Sequence, residues 1–259
     1  MIAARGVQDV IDKLGENNPI GQKIVWLMLP AGEITENQIK DLIPLLNKND
    51  IIVDGGNSNY KHSQRRGAML AEYGIGFIDC GTSGGVWGLD NGYCLMYGGD
   101  KQYADVLAPY AQALTQADRG WAHVGPVGSG HFTKMLHNGI EYGMMQAFAE
   151  GLDLLKGEEE FHLDLAQITE LWRHGSVVRS WLLDLTAEAL KNDQTLEGIA
   201  FYVADFGEGR CKAVEQGVAA PVLTVALQAR FRSQDADGYS YKLLSLMRNA
   251  FGGHAVKKN

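Results

Sequence analysis

Short apolar runs and helical periodicity alternate along the first half of the chain. Ile24–Leu29, Ile51–Asp54, Phe77–Cys80, Cys94–Tyr97 and Ala122–Val124 are brief runs rich in β-branched and aromatic residues, and they predict strands. Ile34–Leu46, Ser63–Tyr73 and Gln102–Leu114 carry apolar residues at helical spacing and predict the helices between them. Such alternation predicts an α/β, Rossmann-like sheet flanked by helices. After Gly125-Pro126 the pattern changes. Gly128 to about Lys156 reads as one long helix, and the remainder is helical in period without a convincing strand. The change places a boundary near Val127, predicting an α/β domain over 1–127 and an all-α domain over 128–259.

A dinucleotide-binding unit ordinarily opens with a strand, a Gly-x-Gly-x-x-Gly turn and a helix. No such series precedes Ile24. The Gly-x-Gly pairs at Gly74, Gly128 and Gly207 follow a helix or lie at or beyond the boundary, and read as turns or caps. The α/β domain is therefore expected to be a partial one.

Composition narrows the partners. A formal net charge of -8 argues against a nucleic-acid surface, because phosphate backbones attract basic faces. A small phosphorylated molecule needs only a few local cations and stays open. Cys80, Cys94 and Cys211 are widely spaced and lack the spacing of a disulfide framework or a zinc site, which fits reduced thiols in the cytoplasm. No metal site is expected. Neither a signal peptide nor an apolar stretch of about 18 residues is present, so no membrane partner is expected.

Five functional side chains crowd Gly128-Ser-Gly-His-Phe-Thr-Lys-Met-Leu-His-Asn-Gly-Ile-Glu-Tyr142. At about 100° per residue, with Lys134 at zero, His137 falls at about -60°, Asn138 at about +40°, Glu141 at about -20° and Tyr142 at about +80°. All five share one helix face. Lys134 and Glu141 lie about 10 Å apart along the axis, a spacing that lets a base and an acid reach different carbons of one sugar acid. A solvated Glu/Lys face is the ordinary alternative. Met135, Leu136 and Ile140 flank the cluster, however, and Gly139 sits where alanine would favour the helix by roughly 1 kcal/mol. A close approach by ligand or backbone would explain that glycine.

Three further stretches carry possible chemistry. Asp79-Cys-Gly-Thr-Ser-Gly-Gly-Val-Trp-Gly-Leu-Asp-Asn-Gly92 follows a strand, and its Ser83 hydroxyl and Gly84 and Gly85 amides can face a carboxylate or phosphate, although such loops are often only turns. In Ile51-Ile-Val-Asp-Gly-Gly-Asn-Ser58, Asn57 leaves the carboxyl end of the sheet, where ligands of open α/β sheets bind. Near the end of the chain, Arg248 and His254 flank a Gly-Gly pair; they could grip a phosphate or belong to an exposed tail.

Taken together, these motifs resemble 6-phosphogluconate dehydrogenase from about Val25 to His254, and Gly-His-x-x-Lys-Met-x-His-Asn-Gly-Ile-Glu-Tyr is highly specific to that family. The resemblance implies oxidation of 6-phosphogluconate at C3 with Lys134 as base, then loss of CO2 and protonation at C1 by Glu141 to give ribulose 5-phosphate. It assigns Asn57, Ser83, Gly84, Gly85, His137 and Asn138 to the sugar acid and Tyr142 and Arg230 to its phosphate. Arg248 and His254 would reach the partner subunit's site in an obligate homodimer. Leu29, Pro30, Ala31 and Asn57 would face NAD or NADP.

Gly207-Glu-Gly-Arg210 replaces the lysine-bearing loop of the longer enzymes, which resembles the short bacterial subgroup and favours NAD. The stretch after Arg210 is about three residues shorter than the family pattern leads one to expect. Two other readings compete: a related β-hydroxyacid dehydrogenase, such as one for 3-hydroxyisobutyrate, and a catalytically impaired homologue that binds sugar phosphate. His137 and Glu141, with the Arg248/His254 tail, favour a phosphorylated, decarboxylated substrate.

Overall fold

The computed structural model describes residues 3–16, 18, 21–115, 119–200, 203, 216, 218–235, 238, 239, 241–243 and 247. Its contacts divide the chain into two units, Met1–His137 and Asn138–Asn259.

In the first unit β1 (Ile24–Leu27), β2 (Ile51–Asp54), β3 (Gly76–Ser83), β4 (Cys94–Gly99) and β5 (Trp121–Gly125) form one sheet in that order. β1, β2 and β3 run parallel, joined through α2 (Glu33–Leu42) and α3 (Tyr60–Glu72). β4 turns antiparallel to β3, and β5 runs parallel to β4 after α5 (Lys101–Leu114). The reversal has a simple cause. Only a loop with the four-residue α4 (Gly88–Asn91) separates β3 from β4, less chain than a parallel crossover needs.

Alternation along the strands sorts the core onto two faces. Ile52 joins Val25, Leu27, Ile39, Leu42, Leu70 and Phe77 on one side, and Ile51 and Val53 join Ile78, Leu95, Tyr97 and Leu107 on the other. Every residue of β2 is buried, which is why that strand reads as an unbroken apolar run closed by one aspartate. α1 (Val7–Gly15) was not expected from the sequence; its Ile11 enters the first core cluster.

Element ends shifted where side chains cap. α3 begins at Tyr60 rather than Ser63, because the Asn59 side chain accepts from Lys61 N at 2.9 Å. α6 spans Ser129–Gly157 without a break.

In the second unit α7 (Leu165–Trp172), α8 (Trp181–Asn192) and α9 (Pro221–Gln234) accompany the later turns of α6. No strand occurs there among the described residues. Asp164 caps α7, Ser180 caps α8, and Arg173 Nε reaches Asp184 Oδ1 at 2.8 Å to tie the two helices. The mid-helix Gly139 has its explanation here. A Cβ at that position would lie 3.0 Å from Leu223 Cδ2, so a side chain of α9 makes the close approach. Among the described residues no helix is long and apolar enough to cross a membrane.

Candidate active site

The start of α6 is docked on the sheet by backbone contact. A Cβ at Gly130 would lie 2.3 Å from the Asp79 carbonyl oxygen and 2.7 Å from that of Met96. A Cβ at Gly81 would lie 2.4 Å from Lys134 Cβ. Lys134 thus rests directly on β3 and is buried. Gly81→Ala is expected to lift the helix and destabilise the fold by about 1–3 kcal/mol in urea denaturation; an unchanged midpoint would mean that α6 tolerates displacement there.

The first amides of a helix lack intrahelical acceptors, and Gly128, with φ 96°, has no side chain to supply one. Asp79 supplies it from β3. Its Oδ1 accepts from Gly128 N at 2.6 Å and its Oδ2 from His131 N at 2.8 Å. Burial pushes the Asp79 carboxyl up to about 7, partly opposed by those two amide bonds. His131 is buried too, and burial holds its imidazole below the ordinary range. Its Nδ1 shares a 2.7 Å hydrogen bond with Ser63 Oγ. Its Nε2 has no hydrogen-bond partner among the described residues.

One turn beyond this anchor, three of the expected residues meet. Lys134 Nζ lies 3.4 Å from His137 Nδ1, and His137 Nε2 lies 3.5 Å from Ser83 Oγ. The imidazole therefore stands between an amine and a hydroxyl. The neighbouring Gly84 and Gly85 have φ of 128° and 52°, backbone that side chains rarely adopt.

Asn138, Glu141 and Tyr142 follow on the same helix, within the second unit. Tyr142 is buried, and the Arg230 guanidinium of α9 lies over its ring at 3.6 Å from the centroid. Arg230 is 5% exposed; its Nη2 reaches Met145 Sδ at 3.8 Å, and its Nε has no hydrogen-bond partner among the described residues. A buried cation so placed suits an anionic ligand. Arg248 and His254 lie outside the described residues, as do Cys211 and the Gly207–Arg210 loop.

At the carboxyl ends of β1 and β2, Pro30, Ala31 and Asn57 are exposed and Leu29 is half-buried. Two buried residues lie beneath them, and of these the sequence reading did not single out Arg66. Arg66 and Asp54 form an ion pair at 2.9 Å, with exposures of 1% and 0%. The only sequence signal was a charge inside an otherwise apolar run, as at Asp54 and Asp79. No group of three or more His, Cys, Asp or Glu side chains could hold a metal among the described residues.

A mixed, mainly parallel α/β sheet flanked by helices, followed by a helical unit, is a Rossmann-like dehydrogenase architecture. The family model for the NAD binding domain of 6-phosphogluconate dehydrogenase matches residues 1–125, and that for the enzyme's C-terminal domain matches 130–237 and 155–259. The chain belongs to the 6-phosphogluconate dehydrogenase family. It is 41% identical over 239 residues to the YqeC protein of Bacillus subtilis, covering 91% of this chain and 80% of that one. It is 39% identical over 259 residues to the NAD(+)-dependent, decarboxylating 6-phosphogluconate dehydrogenase of Haloferax volcanii, covering 98% and 84%. Among solved structures, Plasmodium falciparum 6-phosphogluconate dehydrogenase, studied with its cofactor NADP+ and its substrate, superposes with a TM-score of 0.77 at 29% identity. The match covers 94% of this chain and about half, 54%, of that one. Mycobacterium tuberculosis 3-hydroxyisobutyrate dehydrogenase, at 19% identity and TM-score 0.66, shares the fold; the match covers 88% of this chain and 77% of that one.

Proposed function

We propose that this chain catalyses oxidative decarboxylation of 6-phosphogluconate to ribulose 5-phosphate and CO2, with reduction of a nicotinamide dinucleotide, NAD in preference to NADP. The observation that carries the reading is the line from Ser83 through His137 to Lys134, with Glu141 farther along the same helix. The Haloferax relative, named for the NAD(+)-dependent reaction, favours the same substrate and cofactor.

In this reading Lys134 accepts the proton of the C3 hydroxyl as hydride leaves C3, giving a 3-keto acid. The protonated amine then polarises that carbonyl so that the C1–C2 bond breaks and CO2 departs, and Glu141 protonates the former C2 carbon of the resulting enediol, which becomes C1 of ribulose 5-phosphate. His137, Asn138, Ser83, Gly84, Gly85 and Asn57 orient the sugar acid. Tyr142 and Arg230 hold the phosphate, supported by the Arg230 Nε, which has no hydrogen-bond partner among the described residues. A bound nicotinamide supplies the hydride acceptor. Exposed Pro30, Ala31 and Asn57 and half-buried Leu29 fit its end of the cofactor, while the sequence carries no strand followed by the pyrophosphate-holding Gly-x-Gly-x-x-Gly turn.

A homodimer belongs to the same reading. It is favoured by the exposed apolar side chains Leu171, Val177, Trp181 and Leu185 on and between α7 and α8. Arg248 and His254 would complete the partner's site.

The test supplies the purified chain with 6-phosphogluconate and NAD or NADP, following nicotinamide absorbance and CO2 together. Equimolar reduced nicotinamide and CO2, with no turnover of 3-hydroxyisobutyrate, is the expected outcome. A folded chain that binds 6-phosphogluconate yet reduces neither cofactor would leave it a sugar-phosphate-binding homologue.

A further inference from the structure

One buried guanidinium joins the two loops that leave β1 and β2. Arg66, on α3, is 1% exposed. Its Nη1 donates to Asp54 Oδ2 at 2.9 Å and lies 3.4 Å from Ser58 Oγ, both in the segment leaving β2. Its Nε donates to Glu36 Oε2 at 3.0 Å and its Nη2 to the Gly32 carbonyl at 3.2 Å, both at the start of α2. Burial raises the Glu36 carboxyl, but hydrogen bonds from Arg66 and Arg65 outweigh it and hold the group below its ordinary range.

The two loops also touch each other through backbone. Gly55 N donates to the Leu27 carbonyl at 2.8 Å, and a Cβ at Gly56 would lie 2.6 Å from the Leu29 carbonyl oxygen. Asp54 Oδ1 accepts from Gly56 N at 3.1 Å, and Thr35 Oγ1 donates to the Pro30 carbonyl at 2.8 Å. Inward groups are thus tied down, whereas Met28, Pro30, Ala31 and Asn57 remain exposed.

We propose that Arg66 is the positioning residue of the cofactor face, a fork whose separate arms hold the β1–α2 loop and the β2–α3 loop at one fixed spacing. This rests on the reading of Leu29, Pro30, Ala31 and Asn57 as cofactor contacts. Arginine suits the task because its planar donors diverge at fixed angles, and a lysine ammonium cannot reach Asp54, Glu36 and Gly32 together. A dinucleotide laid across both loops senses their spacing, and a displacement of about 1 Å is enough to cost a large factor in productive binding.

The test compares the full chain with Arg66→Lys, which retains the charge beside buried Asp54. Hydrogen exchange at residues 28–33 and 54–59 should quicken by about tenfold while β3 and β4 stay unchanged. Calorimetric affinity for NAD should fall by about tenfold, and affinity for 6-phosphogluconate by clearly less, because Asn57 is its one assigned contact on these loops. Glu36→Ala leaves the buried pair in place and serves if Arg66→Lys fails to fold; it should loosen 28–33 alone. Unchanged loop exchange, or equal losses for both ligands, would overturn the proposal. A wild-type chain that binds 6-phosphogluconate and no dinucleotide would overturn the cofactor reading and this role for Arg66, while the exchange arm would still decide whether the fork holds the loops.

Discussion

Lys134→Ala should lower turnover of 6-phosphogluconate by about a thousandfold or more, because one amine is asked to take the C3 proton and then to steady the charge that develops as CO2 leaves. The variant is a clean one. Alanine keeps the Cβ that rests on Gly81, so the docking of α6 survives while the amine beside His137 is lost. Circular dichroism should match the wild type, and the loss should fall on kcat more than on KM. Turnover within about tenfold of wild type would remove Lys134 from the chemistry, since positioned acid–base groups contribute more than that.

The second large effect concerns pH and Asp79. The carboxyl stands at about 7 in the folded chain against an ordinary value of 3.8, chiefly through burial. A raised pKa means that the folded chain holds this proton more tightly than the unfolded one. The associated stability is therefore present below about pH 4 and is lost as pH rises to about 7, above which a buried carboxylate caps the helix. Between pH 5 and pH 7 the wild type should lose about 2 kcal/mol through this group, and Asp79→Asn should flatten that slope. Urea denaturation of both proteins across the window checks it. Equal slopes would show that Asp79 does not titrate there. Asp54 on β2 and His131 on α6 face the same carboxyl, and burial holds the His131 imidazole below its ordinary range.

Both effects turn on contacts that differ sharply in how visible they were beforehand. The strand over Ile51–Asp54 was legible to the residue, because a strand buried on both faces admits only apolar side chains until it ends. The face bearing Lys134, His137, Asn138, Glu141 and Tyr142 was legible too, since residues three and four apart on a helix are neighbours whatever surrounds them. Helix ends were read less well. Asn59 moved the start of α3, and α1 is a short amphipathic segment whose burial depends on the core it meets.

What lies within a few residues along the chain obeys local rules of period, turn and cap, and so the α/β order, the long helix and its polar face could be had from the amino acids in line. Contacts across the sheet follow no such rule. Asp79 caps a helix that begins 50 positions later, Arg66 reaches back to Gly32 and Glu36, and Gly81 makes room for Lys134. Each pairs groups that meet only after the strands have set their register, because it is the packing of backbone against backbone that brings a distant carboxylate, guanidinium or missing side chain to the place where it acts.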